Sequence, residues 1–393
     1  MKTYNVTEIE DDSYFSNDLY LDDKFLLLIQ ELPFSLNLKK TLANWSFETV
    51  LCEGENLKEK KEDLSDDFQF ETFLENLESE KLSKVKQIRE EILTGVEARF
   101  QEFLKNIEEL HDTAKQGLTL NVRNVADLAK ELVDFVRENK KQILLIQPDA
   151  FSKDFDYIII HEMRSSVFAI IIGLYLKFPM YRLIDLAIAC LVHEIGMARI
   201  PPSVYNSKAP LTIKEKQILL THPIISYNIV NTSSFSKPIC LACLEHHERE
   251  NGGGYPRRLD TNRISFYGKI IAVACSYEAA TAPRPYRQAK NPTTVIMELV
   301  KNENKQYDDS VLKALLYSIS FFPIGTYVVL SDGRAAQVVD VNPDDPRFPI
   351  VKILGELSPS GGPKIIGTNK ISVYITRTIS KEEAETMIEV DSI

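Results

Sequence analysis

Between residues 69 and 115, apolar side chains return at three- and four-residue steps: Leu82, Val85, Ile88, Ile92, Val96 and Phe100, with Glu and Lys between them. That period marks one face of a helix. The spacing predicts a single long helix. A helix of that length suits a connecting or dimerising element, or equally an ordinary amphipathic helix docked on its own domain. Further helical patterns follow over 121–140, 155–177, 181–195, 212–231, 236–248, 265–281, 291–303 and 308–320, with Asn121 placed to cap the first. Pro201-Pro202, Pro223, Gly252-Gly253-Gly254 and Pro283 punctuate them. No alternation typical of strands interrupts this stretch, which predicts an all-α middle domain.

The flanks differ. Residues 1–20 are acidic and aromatic without a clear period and read as a loose arm. Phe25–Ile29 reads as a buried strand, Leu36–Trp45 as a short helix and Phe47–Leu51 as a second strand, with a charged linker over 53–67. From Gly325 the pattern changes to Tyr327–Leu330, a turn at Ser331-Asp332-Gly333, and Ala336–Val339, which reads as a hairpin. Ile350–Leu354 and Ile371–Ile375 add strands. The expected fold class is mainly α. It comprises a small acidic N-terminal α/β module over 1–67, a long connecting helix region over 68–117, a helical domain over 118–322, and a small C-terminal β appendage and tail over 323–393.

Composition narrows the function classes. The chain has 393 residues, room for two or three domains, with 44% hydrophobic and 26% charged residues. The longest apolar run, Val167–Leu176, is shorter than a membrane span. The N-terminal residues lack the pattern of a signal peptide, and the five cysteines form no disulfide framework, so a cytoplasmic protein with no membrane partner is expected. The net charge of −11 is uneven. Residues 1–80 carry 20 acidic residues against 7 lysines, leaving the remainder near +2. That balance argues against DNA binding and still permits a local basic pocket for a phosphate.

Candidate chemistry lies in the histidines. Five of the six fall between His161 and His247: His161, His193 beside Glu194, His222 in Thr221-His222-Pro223, and the pair His246-His247. Histidine is the commonest metal ligand, and a cluster interleaved with helical segments suggests a metal site inside a helical bundle. Adjacent residues on a helix point about 100° apart. His193 and Glu194 therefore reach one metal only near a helix end, or else serve two metals. The His246-His247 pair poses the same geometry and hints at more than one ion. Two metals about 3.5–4 Å apart are a common solution for phosphodiester cleavage.

These motifs resemble the HD-GYP family, a branch of the HD phosphohydrolases that cleave cyclic di-GMP. His193-Glu194-Ile195-Gly196 stands where that family has His-Asp-Ile-Gly. The run His246-His247-Glu248-Arg249-Glu250-Asn251-Gly252-Gly253-Gly254-Tyr255-Pro256 matches its second signature, and Arg284-Pro285-Tyr286-Arg287 its basic motif. The resemblance covers about 120–322, roughly half the chain. It implies an HD-type helical domain, with metal ligands at His161, His193, Glu194, His222, His246 and His247. Two divalent transition metal ions (Fe, Mn or Zn) are the implied cofactors, and cyclic di-GMP the implied ligand. Within this set His193 and Glu194 would be catalytic, Arg284 and Arg287 would contact phosphate, and Gly254-Tyr255-Pro256 would shape the pocket.

This sequence departs from the family pattern at four positions. Glu194 replaces an aspartate, which can shift a bridging oxygen by about 1 Å. Met197 replaces a lysine. Cys275 replaces a metal-binding aspartate and reads more simply as a buried small residue than as a thiolate ligand. Tyr157 replaces an acid that holds an extra metal in some members. Cys240 and Cys243 have a zinc-like spacing, but their apolar surroundings favour core packing. The expected function is a metal-dependent cyclic di-GMP phosphodiesterase of altered or reduced activity. The alternative is a degenerate domain that binds the dinucleotide or a partner without turnover. A different phosphohydrolase activity is argued against by the intact Gly-Tyr-Pro motif. The long helix makes a homodimer possible.

Overall fold

Short strands, a short helix and the first turns of a long one build the first unit of the chain, Met1–Glu80; the second unit is Lys81–Ile393. A computed structural model describes residues 1–21, 26–28, 32–44, 47–57, 67–147, 149–358 and 362–390. In the first unit, β1 (Lys2–Asn5), β2 (Tyr14–Phe15), β3 (Leu19–Tyr20), β4 (Leu26–Leu28), α1 (Leu36–Asn44), β5 (Thr49–Cys52) and β6 (Asn56–Leu57) follow in order. The sheet order is β1-β5-β3-β4, all antiparallel, and β2 pairs with β6. Residues 1–20 are therefore not a loose arm. Val6, Ile9, Phe15 and Leu19 are buried with Phe34, Leu42, Val50 and Cys52 in one small core. The sequence hid this because strands of two to four residues are too short to display a period of two. Of the expected elements here, Phe25, Ile29, Trp45 and linker residues 58–66 lie outside the described residues.

Helix α2 (Asp67–Lys115) is the predicted long helix. The described part of its apolar face, Val96, Phe100, Phe103, Leu104 and Ile107, is buried in the same core as Val125, Leu132 and Val136. That stretch is thus an amphipathic helix docked on its own domain. The side chains of Leu82, Val85 and Ile88 lie outside the described residues. Helix α3 (Val122–Leu145) starts where Asn121 was expected to cap it, with the Asn121 side chain accepting from Arg123 N and Asn124 N at 3.0 and 3.2 Å.

The central helix is α4 (Tyr157–Tyr175), packed against α5 (Met180–Leu191) and α10 (Phe266–Thr281). Between α5 and α10 come a 3-10 turn (Ile195–Arg199), α6 (Pro202–Tyr205), α7 (Ile213–Leu219), α8 (His222–Thr232) and α9 (Lys237–Glu245). Helices α11 (Pro292–Lys301) and α12 (Asp309–Ile319) follow. The sequence showed no apolar run of spanning length. Helix α4 is nonetheless long and apolar enough by length and composition to cross a bilayer, yet 83% of that window is buried inside the protein. Its apolarity serves an all-round core contact. Several expected helices are shorter than their patterns. The 181–195 segment stops at Leu191, and 212–231 breaks into α7 and α8 at Thr221, where Pro223 sits in the first turn of α8.

The C-terminal strands β7 (Tyr327–Leu330), β8 (Ala335–Asp340), β9 (Ile350–Leu357), β10 (Pro363–Gly367) and β11 (Ile375–Ile379) form one antiparallel sheet, ordered β10-β9-β8-β7-β11. A terminal helix, α13 (Lys381–Val390), packs on it. The strand expected over Ile371–Ile375 begins only at Ile375. Ile371 is almost fully exposed, in a turn where Asn369 Oδ1 accepts from Ile371 N and Ser372 N. The architecture is mainly α, with a helical domain, a small N-terminal α/β module and a C-terminal β appendage.

Candidate metal centre

Three helix ends and the central helix α4 converge on one point. Helix α4 supplies His161 from within the core, and the turn after α5 supplies His193 and Glu194. The first residue of α8 is His222, and the end of α9 supplies His246 and His247. The helix-end requirement for adjacent ligands is met, since α5 ends at Leu191 and both His193 and Glu194 lie beyond it. Gly196 has a steric task. A Cβ there would meet His222 O at 2.3 Å and Ser226 N at 2.7 Å, so only glycine lets the 3-10 turn approach α8. Gly196 N also donates to Ser226 Oγ at 2.9 Å.

Glu194 is the hub. Its Oε1 lies 3.7 Å from His161 Nε2 and 3.8 Å from both His193 Nε2 and His246 Nε2, and its Oε2 lies 3.5 Å from His222 Nε2. His222 Nε2 is 3.2 Å from His246 Nε2 and 3.1 Å from His247 Nε2. The ring orientations have a backbone cause. His193 Nδ1 donates to Cys190 O at 2.7 Å, His222 Nδ1 to Leu219 O at 2.7 Å, and His246 Nδ1 to Cys243 O at 2.8 Å. With the proton fixed on Nδ1, each Nε2 turns a lone pair toward the centre. Lone pairs that close repel without a cation between them. Two nitrogens about 2.1 Å from one metal, at roughly 90–110° to each other, sit about 3.0–3.4 Å apart, so the observed spacing fits a metal. Two donor groups emerge, Glu194 with His222, His246 and His247, and His161 with His193 and Cys275.

Burial pushes His193 down to about 4 and His246 well below the usual imidazole range, so both are neutral near pH 7, the form that binds metals. Burial alone would raise Glu194, and His222, His193, His246 and His161 lower it to the extent that they carry charge, with a net direction below the ordinary carboxylate range. Cys275 Sγ lies 3.1 Å from His193 Nε2, and burial pushes its thiol well up.

A second layer holds the first. His161 Nδ1 meets Glu278 Oε2, and Arg284 Nη2 reaches the same oxygen at 2.7 Å and His161 Nδ1 at 3.0 Å. Arg164 Nε lies 3.8 Å from Glu278 Oε1. Burial opposes ionisation of Glu278, yet His161, Arg284 and Arg164 lower it to about 2. The Arg284 side chain is thus 5% exposed and committed to a buried ion pair, with its guanidinium 4.9 Å from the Tyr157 ring centroid. Arg287 is exposed and donates to Ala279 O.

The Gly-Tyr-Pro loop also touches the cluster. The Tyr255 ring stacks on His247, with centroids 4.6 Å apart and planes 17° apart. A Cβ on Gly254 would meet Arg249 N at 2.4 Å, so glycine is required for the loop to fold under His247. Pro256 follows Tyr255, and the chain turns back so that Glu248 accepts from Arg257 N at 2.7 Å and Leu259 N at 2.9 Å. Glu245 accepts from Ser265 N at 2.7 Å and pairs with Arg257. Met197 is buried with Ile158, Ile200 and Val204. Cys240 and Cys243 are fully buried in the main core.

Sequence reasoning passed over Glu278, Glu245 and the buried His111–Glu162 pair. The available signal was an acid isolated in an apolar helix: Glu162 in α4 and Glu278 in α10 are charged side chains in segments with no solvent face.

Residues 146–311 match the HD domain family. The chain is 34% identical over 199 residues to the cyclic di-GMP phosphodiesterase PdeB of Borreliella burgdorferi, covering 51% of this chain and 52% of that protein. It is 26% identical over 241 residues to a cyclic di-GMP phosphodiesterase of Pseudomonas aeruginosa, covering 61% and 58%. The solved structure of the HDG"Y"P protein Bd1817 of Bdellovibrio bacteriovorus aligns over 80% of this chain and 97% of its own, with a TM-score of 0.47 and 14% identity. The chain spans about half the length of the curated relatives it matches. This part of the chain is an HD domain. Its candidate donors are Glu194 with His222, His246 and His247, and His161 with His193 and Cys275.

Proposed function

We propose that the chain is a metal-dependent phosphodiesterase that hydrolyses cyclic di-GMP, with activity altered by Glu194, Met197 and Cys275. The observation that carries this reading is the convergence of four Nε2 atoms on the two oxygens of Glu194. His161, His193, Glu194, His222, His246 and His247 would hold two divalent transition metal ions. Bound there, such ions supply Lewis-acid catalysis of phosphodiester hydrolysis. The chain's own contribution is positioning: backbone carbonyls fix three imidazoles, Glu278 fixes His161, and Tyr255 fixes His247. Arg284 and Arg287 would contact ligand phosphate, which competes with Glu278 for the Arg284 guanidinium. Hydrolysis breaks one phosphorus–oxygen ester bond and leaves a linear dinucleotide. The division at 67, 117 and 322, and a homodimer through α2, belong to the same proposal.

A second reading is favoured by Cys275, whose buried protonated thiol stands where a carboxylate ligand is expected. In that reading the domain binds the dinucleotide without turning it over. Metal analysis of protein purified without oxygen, followed by an assay for linear dinucleotide, separates the two. Metal with turnover supports the enzyme, dinucleotide binding without turnover supports the regulator, and neither metal nor binding removes both.

A further inference from the structure

The two donor groups of the cluster differ in chemistry. Glu194 with His222, His246 and His247 offers carboxylate and imidazole atoms only. The other group contains a sulfur. His161 on α4, His193 beyond α5 and Cys275 on α10 each bring one donor atom within 4.8 Å of the other two, and all three residues are buried. Cys275 Sγ lies 3.1 Å from His193 Nε2. Glu194 Oε1 stands 3.7 Å from His161 Nε2 and 3.8 Å from His193 Nε2, so it offers this group a fourth donor.

The Cys275 sulfur is more than core filling. Cys240 Sγ donates to Phe235 O at 3.5 Å, and Cys243 Sγ turns to Ala189 O at 3.8 Å and Val192 O at 3.7 Å, so both of those thiols are spent on backbone carbonyls. Cys275 turns instead to the nitrogen lone pair left by His193, whose Nδ1 is committed to Cys190 O. The thiol proton can bridge that pair of atoms, and so can a cation. A sulfur about 2.3 Å and a nitrogen about 2.1 Å from one ion, at roughly 90–110° to each other, sit about 3.1–3.6 Å apart, which the observed separation meets. Ser165, one turn after His161 on α4, brings its hydroxyl to the same sulfur, a donor that favours a bound thiolate.

We propose that Cys275 is a metal ligand and that its sulfur makes the His161–His193 position selective for a thiophilic ion, such as Zn(II), Fe(II) or Co(II), over Mn(II) or Mg(II). Thiolate is a soft donor that favours such ions, whereas the carboxylate of the other group accepts Mn(II) as well. When the metal–sulfur bond forms, sulfur supplies the electron pair and the thiol proton passes to solvent, with no change of oxidation state. The centre then has two unequal halves, one able to discriminate between ions and one more permissive. The proposal rests on the metal reading of the cluster and deepens it by naming the residue that decides which ion one half takes.

The test is anaerobic titration of the metal-free whole chain with Co(II), read by absorption. The wild type should develop an intense sulfur-to-cobalt charge-transfer band in the near ultraviolet. Cys275→Ala and Cys275→Asp should lack the band, Cys275→Asp while still taking up Co(II), and Cys240→Ala should keep it. Circular dichroism checks the fold of each variant. In competition against a chelator, the preference of the wild type for Zn(II) over Mn(II) should exceed that of Cys275→Asp by at least about 10-fold. Co(II) uptake by the wild type without the band, a band that survives in both Cys275 variants, or an equal Zn(II)-over-Mn(II) preference in wild type and Cys275→Asp overturns the proposal. Absence of any Co(II) uptake removes the metal reading of the cluster together with it. Dinucleotide turnover is scored separately. The band without turnover supports the ligand and removes the enzyme reading, whereas turnover by protein that binds Co(II) without the band does the reverse.

Discussion

His111 on α2 and Glu162 on α4 form a buried pair, with Nε2 2.5 Å from Oε2. This is the one histidine outside the cluster, and its partner is the residue next to His161. Glu162 is fully buried, and its Oε1 has no hydrogen-bond partner among the described residues. The pair fastens the end of α2 to the helix that carries His161.

Removing His111 should therefore be costly. His111→Ala leaves a buried carboxylate without its partner, and breaking such a pair costs about 3–5 kcal/mol. Urea denaturation should show a lower midpoint, with partial recovery in His111→Gln, which retains a donor. A midpoint equal to the wild type would mean the pair is not formed in solution.

Metal content tests the donor set. Elemental analysis should find at least one transition metal per chain, lost when His193→Ala and His246→Ala are combined. Retention of stoichiometric metal by that double variant would place the metal elsewhere.

Glu278 should act through His161. A carboxylate behind a ligating histidine typically contributes about 10–100-fold in metal affinity. Glu278→Gln should weaken metal binding by that order in a competition titration against a chelator. It should also change the acid limb of stability. The Glu278 pKa falls from its ordinary 4.5 to about 2 on folding. Its stabilising contribution is therefore complete above 4.5 and is lost as pH falls toward 2. The gap in melting temperature between wild type and Glu278→Gln should be widest above pH 4.5 and close below it. A gap that does not change with pH would assign the effect to packing instead of charge.

Gly196→Ala tests the close approach of the 3-10 turn to α8. The added methyl would meet His222 O at 2.3 Å, so the turn and α8 must separate. Overpacking of this kind costs about 1–3 kcal/mol. Because His222 moves with α8, metal affinity should fall as well. A variant with wild-type stability and metal content would show that the turn yields freely.

The divergent positions can be reverted together. Glu194→Asp, Met197→Lys and Cys275→Asp should raise the rate of linear dinucleotide formation at matched metal content, since a carboxylate ligand and a cation are restored where charge develops. The lysine would replace a methionine buried with Ile158, Ile200 and Val204, so the triple variant needs a check of folding by circular dichroism. A wild type as fast as the correctly folded revertant would make the present residues a working set.

The order of the ligand motifs along the chain, the helical character of the middle domain and the need for helix ends at His193-Glu194 and His246-His247 were all legible in the sequence. They follow from local spacing and from the 100° step of the helix, which the chain carries everywhere. The cap at Asn121 and the hairpin after Gly325 were legible for the same reason. Other features arise only from the meeting of distant segments. Residues 1–20 form strands because Val6, Ile9, Phe15 and Leu19 find a shared core with Phe34 and Val50. Glu278 reaches His161 across 117 positions, and His111 reaches Glu162 across 51. Arg284, read as a phosphate contact, sits in a buried ion pair because the fold places Glu278 within 2.7 Å of it. Sequence spacing determined which residues present donors. Tertiary packing decided which carboxylates stand behind them, because a buried charge needs a partner and only the assembled fold supplies one.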